Sequence, residues 1–189
     1  MQITDLKTLD YPPLTDDLEE AKSHLDKYGM ALIKDVLSQE EVEEMDQRLN
    51  EQFLGEEKYQ VGSKIRGDEG FGIESSEEEK VSRLVWNLIN KGDCFLKLID
   101  HPKILPLIQH MIGERVCLCS MGAHMNGSGN ERMALHQDQW PLVPHPMKFP
   151  FMANVMYLIS DNSPENGGTR LIPGSHKWPL IDYKTANSE

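Results

Sequence analysis

The sequence has few cysteines, and they show no pattern of a disulfide framework. Only three of its 189 residues are cysteine, Cys94, Cys117 and Cys119, and no two of them are spaced C-x-x-C. An odd number without a paired spacing argues against structural disulfides and is typical of a reducing compartment. We therefore expect a cytoplasmic protein.

Basic clusters, membrane-spanning runs and signal-peptide features are missing as well. The chain has 19 Lys and Arg against 31 Asp and Glu, a formal net charge of −12 that would repel a phosphate backbone. The first residues lack a basic start and an apolar centre, and no uncharged apolar run approaches the length of a membrane span. We expect neither nucleic acid nor membrane as a partner, and the length suits one domain.

The first part of the chain has the periodicity of helices. Apolar residues recur at helical spacing in residues 15–28, with Thr15 as the capped start and Gly29 as the end. Residues 30–33 predict a short strand, and Ser38 with Glu41 predicts a capping box before a second amphipathic helix. Residues 55–80 lack periodicity and predict a surface connection. Two further helices are predicted in residues 81–89 and 102–112.

After Gly113 the pattern changes to that of a β-rich protein. Short apolar runs at residues 116–118, 133–135, 151–159 and 169–172 are separated by Gly, Pro, Asn and Ser. We therefore predict one domain, mainly β with N-terminal helices. Residues 1–113 would form a helical layer with an N-terminal strand, and residues 114–189 the first part of the β core.

The sharpest chemical feature is the motif His136-Gln137-Asp138. Residues i and i+2 of a strand project to the same face, so the imidazole and the carboxylate converge. A histidine nitrogen and a carboxylate oxygen are two of the three ligands in the facial triad of non-haem iron(II) oxygenases. The spacing by itself is weak evidence in a chain with seven histidines.

The motifs around this pair resemble those of the phytanoyl-CoA dioxygenase-like family. That family's order of His-x-Asp, hydrophobic strand, Asn-Gly and Pro-Gly-Ser-His is matched by LHQDQWPLVP and MANVMYLISDNSPENGGTRLIPGSHKW. Its N-terminal elements resemble LDKYGMALIKDVLSQEEVEEM and HPKILPLIQHMIG. The resemblance implies a double-stranded β-helix, a cupin-like jelly roll. It also implies an iron(II)- and 2-oxoglutarate-dependent dioxygenase that oxidises, most simply hydroxylates, a small organic substrate with dioxygen.

The same resemblance assigns roles to individual residues. His136 and Asp138 match the first two iron ligands, and Asn154 and Thr169 match positions that approach the carboxylates of 2-oxoglutarate. Asn154 could instead satisfy a backbone group inside the sheet, and Thr169 suits a strand in its own right. Trp140 could line the substrate pocket or simply pack.

The family's distal iron-binding histidine and its 2-oxoglutarate-binding arginine have no counterpart after the Pro-Gly-Ser-His turn. We therefore expect the β-helix to be incomplete at the C-terminal end of this chain. His176 belongs to the turn. Two alternatives stay open: a non-catalytic partner or binding subunit with the same fold, and a different cupin-like metalloenzyme that would use His124 or His145.

Overall fold

Helices dominate the first part of the computed structural model, which describes residues 10–66, 81–126, 136–139 and 149–178. The four α-helices and five β-strands assigned in those residues are, in chain order, β1 (Leu14–Thr15), α1 (Leu18–Tyr28), β2 (Leu32–Ile33), α2 (Gln39–Lys58), β3 (Ser63–Arg66), β4 (Val81–Trp86), α3 (Asp93–Leu96), α4 (Leu105–Ile112) and β5 (Gly122–Met125). Among the described residues, no helix combines the length and the apolar character that crossing a bilayer requires.

Helices α1 and α2 begin and end where local chemistry allows it. Asp17, rather than Thr15, caps α1, because its side chain accepts a hydrogen bond from the backbone N–H of Glu20. Gly29 ends that helix in the left-handed region at φ 75°. The predicted capping box of Ser38 and Glu41 is confirmed at the start of α2. The backbone N–H of Ser38 donates to Glu41, which lowers the pKa of that carboxyl group.

The strands form two small sheets. Strands β1 and β2 pair in parallel, and β3, β4 and β5 form an antiparallel sheet with β4 in the centre. The second sheet therefore joins segments from both sides of residue 113. Neither sheet is closed within the described residues, and the double-stranded β-helix stays a prediction.

The helix predicted at residues 81–89 is wrong, because most of this segment is strand β4. Leu84 and Val85 are adjacent and both buried, so both faces of the strand are covered and its apolar residues do not alternate with polar ones. Such a run can mimic helical spacing. Its true partners, β3 and β5, are distant in sequence.

One hydrophobic core joins helix α2 to the central strand and the short helix α3. Its buried members are Met45, Phe53, Val85, Leu88, Cys94, Phe95 and Leu98. Tyr157 and Ile159 pack against this core from the segment of residues 151–159. No strand is assigned to that segment, or to residues 116–118 and 169–172, although all three were predicted as strands. The core nevertheless fixes residues 157 and 159 relative to the helices.

Candidate metal centre

His136 and Asp138 face each other in the short described segment of residues 136–139. The imidazole Nε2 of His136 lies 3.2 Å from Oδ1 of Asp138. The His136 side chain is 28% exposed and that of Asp138 is 50% exposed, so the pair is open to solvent on one side. Convergence of the two side chains was expected and is observed, although no strand is assigned here. Metal binding by the pair stays a prediction.

Asn154 holds the other oxygen of the same carboxylate. Its amide Nδ2 donates to Oδ2 of Asp138 at 2.5 Å. A hydrogen bond to an ionised oxygen is among the stronger ones available to a neutral side chain. It also fixes the direction of the carboxylate, leaving Oδ1 toward His136. The sequence predicted Asn154 near the cosubstrate, whereas the structure places it in direct contact with a predicted metal ligand.

Gln139 is a supporting residue that the sequence did not reveal. Its Oε1 accepts hydrogen bonds from the backbone N–H groups of Phe151, at 2.5 Å, and Met152, at 3.0 Å. Together with the Asn154 contact, these bonds attach residues 136–139 to residues 151–154. Nothing in the sequence distinguishes Gln139 from any other polar neighbour of the motif, because its role depends on a segment that follows it in the chain.

The other candidate residues do not join the pair in the described parts of the chain. Thr169 is exposed and makes no hydrogen bond to the pair or to Asn154 there. Trp140 and His145 lie outside the described residues. His124 is on β5 opposite Leu84; it is exposed at the surface, and partial desolvation lowers its pKa. No group of three His, Cys, Asp or Glu side chains able to hold a metal ion occurs among the described residues.

His176 is placed at the end of α1. An ideal Cβ on Gly29 would lie 2.6 Å from Cγ of the His176 ring, so the imidazole lies directly on this glycine. Desolvation by burial lowers the pKa of His176. The interpretation of His176 as part of a turn agrees with this position, since it lies in the short 3₁₀ helix Ser175–Lys177.

The pair has the spacing of two ligands of one octahedral ion. Two donor atoms that each lie about 2.1 Å from an ion, at right angles to each other, are about 3.0 Å apart. The observed separation of 3.2 Å is close to that value. A neutral imidazole nitrogen and a carboxylate oxygen also suit iron(II) chemically. The separation is also that of a direct hydrogen bond between the two side chains, so the candidate facial triad stays a prediction.

The model of one protein family matches most of the chain. Residues 25–188 match the phytanoyl-CoA dioxygenase family. This span includes the candidate metal pair and its supporting residues. The chain belongs to the phytanoyl-CoA dioxygenase family.

Curated relatives are named as dioxygenases. The chain is 29% identical over 165 residues to dioxygenase af480 of Aspergillus fumigatus, covering 87% of this chain and 51% of that protein. It is 27% identical over 177 residues to a probable alpha-ketoglutarate-dependent hypophosphite dioxygenase of Stutzerimonas stutzeri, covering 90% and 57%. The chain thus spans about half the length of these relatives. No solved structure matches the chain.

Proposed function

We propose that this chain carries the metal-binding part of an iron(II)- and 2-oxoglutarate-dependent dioxygenase. The enzyme would oxidise a small organic substrate, most simply by hydroxylation, while converting 2-oxoglutarate to succinate and CO2. The observation that carries the proposal is the 3.2 Å approach of His136 Nε2 to Asp138 Oδ1. Family membership supports it, as does the alpha-ketoglutarate dependence in the name of the Stutzerimonas stutzeri relative.

His136 and Asp138 would hold the iron. When bound, iron(II) with 2-oxoglutarate and dioxygen supplies the oxidising power that no amino-acid side chain has. His136 must offer Nε2 without a proton, so the neutral imidazole would carry its proton on Nδ1. Asp138 would offer Oδ1, because Oδ2 already accepts the hydrogen bond from Asn154.

Asn154 and Thr169 would assist the cosubstrate. The amide of Asn154 has a second N–H besides the one given to Asp138, and this group could donate to a carboxylate of 2-oxoglutarate. Thr169 would add a hydroxyl donor, and Trp140 would line the substrate pocket. These roles, together with the β-helix that would bring the residues together, are part of the proposal.

Metal binding gives the first test. We would titrate the chain with manganese(II), which suits the same ligands, without oxygen, and follow the free ion by electron paramagnetic resonance. Asp138→Ala and His136→Ala should each weaken binding by more than about tenfold, since loss of even an outer partner costs roughly 10–100-fold. Asp161→Ala is the control for the carboxylate and His101→Ala for the imidazole, while His124→Ala tests the alternative ligand.

The possible outcomes distinguish the proposed function from its two alternatives. Unchanged affinity in both His136→Ala and Asp138→Ala would refute the assignment. A large loss in His124→Ala would favour the different cupin-like metalloenzyme. Turnover should be assayed as succinate formed from 2-oxoglutarate in a polypeptide of the relatives' length, and Asp138→Ala should abolish it. Metal binding that depends on both residues, without turnover in that longer protein, would identify a non-catalytic subunit.

A further inference from the structure

Gln139 directly follows Asp138 in the chain, and its side chain reaches a segment that begins twelve residues later. Its Oε1 accepts hydrogen bonds from the backbone N–H groups of Phe151, at 2.5 Å, and Met152, at 3.0 Å. An amide oxygen has two lone pairs, so these two bonds use its full capacity as an acceptor. Gln139 therefore holds two consecutive backbone groups with one atom.

Asn154 lies two residues beyond Met152, and its side chain returns to the residue beside Gln139. Its Nδ2 donates to Oδ2 of Asp138 at 2.5 Å. Asp138, Gln139, Met152 and Asn154 thus form a closed ring of chain segments and hydrogen bonds. The two residues from Met152 to Asn154 span at most about 7 Å, so the bond at Met152 restricts where the Asn154 side chain can lie.

The bond between Asn154 and Asp138 needs this support, because both residues are exposed. Water competes for exposed polar groups, so a hydrogen bond persists there only if little entropy is lost in keeping its partners together. On the C-terminal side of Asn154, the Tyr157 hydroxyl anchors the segment by donating to the carbonyl oxygen of Leu98 at 2.9 Å. Gln139 supplies the anchor on the N-terminal side.

We propose that Gln139 is a positioning residue for the candidate metal pair. By holding the backbone of residues 151–152, it keeps Asn154 on Oδ2 of Asp138 and so leaves Oδ1 beside His136. The effect on a metal ion rests on the proposed function, whereas the effect on the contact between Asn154 and Asp138 does not. The role requires an acceptor at the end of a side chain of this length. Glutamate can therefore replace Gln139, and methionine, which is of similar length but accepts hydrogen bonds only weakly, cannot.

The first test measures the Asn154 contact without a metal ion. We would follow by NMR the solvent exchange of the Asn154 side-chain amide and of the backbone N–H groups of Phe151 and Met152. In Gln139→Met all three should exchange at least about threefold faster, which is the effect of losing one ordinary hydrogen bond. In Gln139→Glu the three rates should stay within about twofold of wild type, because the acceptor is retained.

Gln47→Met is the matched control. Gln47 donates to Glu51 at 3.0 Å on the surface of helix α2, so this substitution removes the same kind of side chain from a pair that does not involve the metal site. It should change none of the three exchange rates. An unchanged Asn154 amide in Gln139→Met would overturn the proposal. Equal acceleration in Gln139→Met and Gln139→Glu would also overturn it, because the acceptor would then not be the group that matters.

The second test is a double-mutant cycle on manganese(II) affinity. Gln139→Met should weaken binding by about tenfold, as is common when an outer partner of a metal ligand is lost. If Gln139 acts through Asn154, the same substitution in an Asn154→Ala background should weaken binding by less than about twofold further. Additive losses would overturn the positioning role, since Gln139 would then act independently of Asn154.

Asp138→Ala separates this proposal from the proposed function. If Asp138→Ala weakens manganese(II) binding and Gln139→Met does not, the role of Gln139 is refuted and the metal site stands. If Gln139→Met accelerates exchange of the Asn154 amide while Asp138→Ala leaves the affinity unchanged, the positioning of Asn154 is supported and the metal assignment is refuted.

Discussion

At the scale of single residues, the candidate site depends on how Asp138 is held. Oδ2 of Asp138 accepts a hydrogen bond from Nδ2 of Asn154 at 2.5 Å, and Oδ1 lies 3.2 Å from Nε2 of His136. Because the Asp138 side chain is half exposed, its carboxylate could otherwise rotate toward solvent. Asn154 thus limits the rotation of the carboxylate and keeps the Oδ1 oxygen beside the imidazole.

We predict that Asn154→Ala lowers manganese(II) affinity by about tenfold without abolishing binding, as is common when a partner of a metal ligand is lost. Asn50→Ala is the matched control, because Asn50 donates to Asp46 in the same kind of pair on the surface of α2. Equal losses of affinity in the two variants, or no loss in Asn154→Ala, would contradict a positioning role for Asn154.

The sequence could predict some of these contacts and not others. His136 and Asp138 are two residues apart, so their convergence required only local geometry. The contact between Asn154 and Asp138 joins residues sixteen positions apart, and the bonds of Gln139 reach residues 151 and 152. Such contacts depend on how two segments meet, which neither segment encodes alone.

At the scale of elements, the end of helix α1 is joined to the late turn that contains His176. The backbone N–H of Gly174 donates to the carbonyl oxygen of Tyr28 at 2.7 Å. The His176 ring lies on Gly29, where the absence of a side chain makes the approach possible. Two features therefore disfavour a side chain at position 29: the φ of 75° and the contact with the imidazole.

We predict that Gly29→Ala destabilises the fold more than Gly174→Ala does. Both glycines are left-handed, at φ 75° and 79°, so both substitutions cost about 1–2 kcal/mol of backbone strain. A Cβ on Gly174 would meet no atom within 4 Å, whereas one on Gly29 would overlap His176. The overlap should add about 1 kcal/mol, the low end of the cost of overpacking, because the exposed His176 ring can move aside. Urea unfolding measures the difference.

The double variant isolates the contribution of the ring. If His176 causes the extra cost, His176→Ala should remove much of it from Gly29→Ala, so that the effects of the two substitutions on the free energy of unfolding are not additive. Additive effects would show that backbone strain alone accounts for the glycine. The same measurement on Gly174→Ala with His176→Ala should give near-additive values.

Elements with local signals were predicted well, and those without them were not. Helices α1 and α2 have caps and periodic apolar faces, and the structure contains both. Strand β4 was taken for a helix, because its burial on both faces comes from neighbours far away in the chain. Helix α3 has only four residues, too few for a periodic pattern.

At the scale of the whole molecule, the core and the candidate metal site are linked through one segment. Helix α2, strand β4 and the short helix α3 supply most of the buried core, and Tyr157 and Ile159 attach the segment of residues 151–159 to it. Asn154, three residues before Tyr157, donates a hydrogen bond to Asp138 of the candidate metal pair. The stability of the core and the geometry of the site should therefore change together when this attachment is weakened.

The attachment of Tyr157 to the core can be tested through pH. Burial raises its pKa from the ordinary 10 to about 12, so the folded protein keeps a hydroxyl proton that the unfolded chain would release. The corresponding stability is fully present below about pH 10 and is lost as the pH rises toward 12.

Tyr157→Phe removes the bond to Leu98 and should lower the free energy of unfolding by about 1 kcal/mol at neutral pH. The gap between wild type and variant should then shrink above pH 10 and change sign before pH 12, because the rise in pKa is worth more than the single hydrogen bond. Tyr59→Phe, at a tyrosine that is 71% exposed, is the control and should show neither effect. A constant gap across that pH range would contradict the raised pKa and mean that Tyr157 titrates as an exposed tyrosine does.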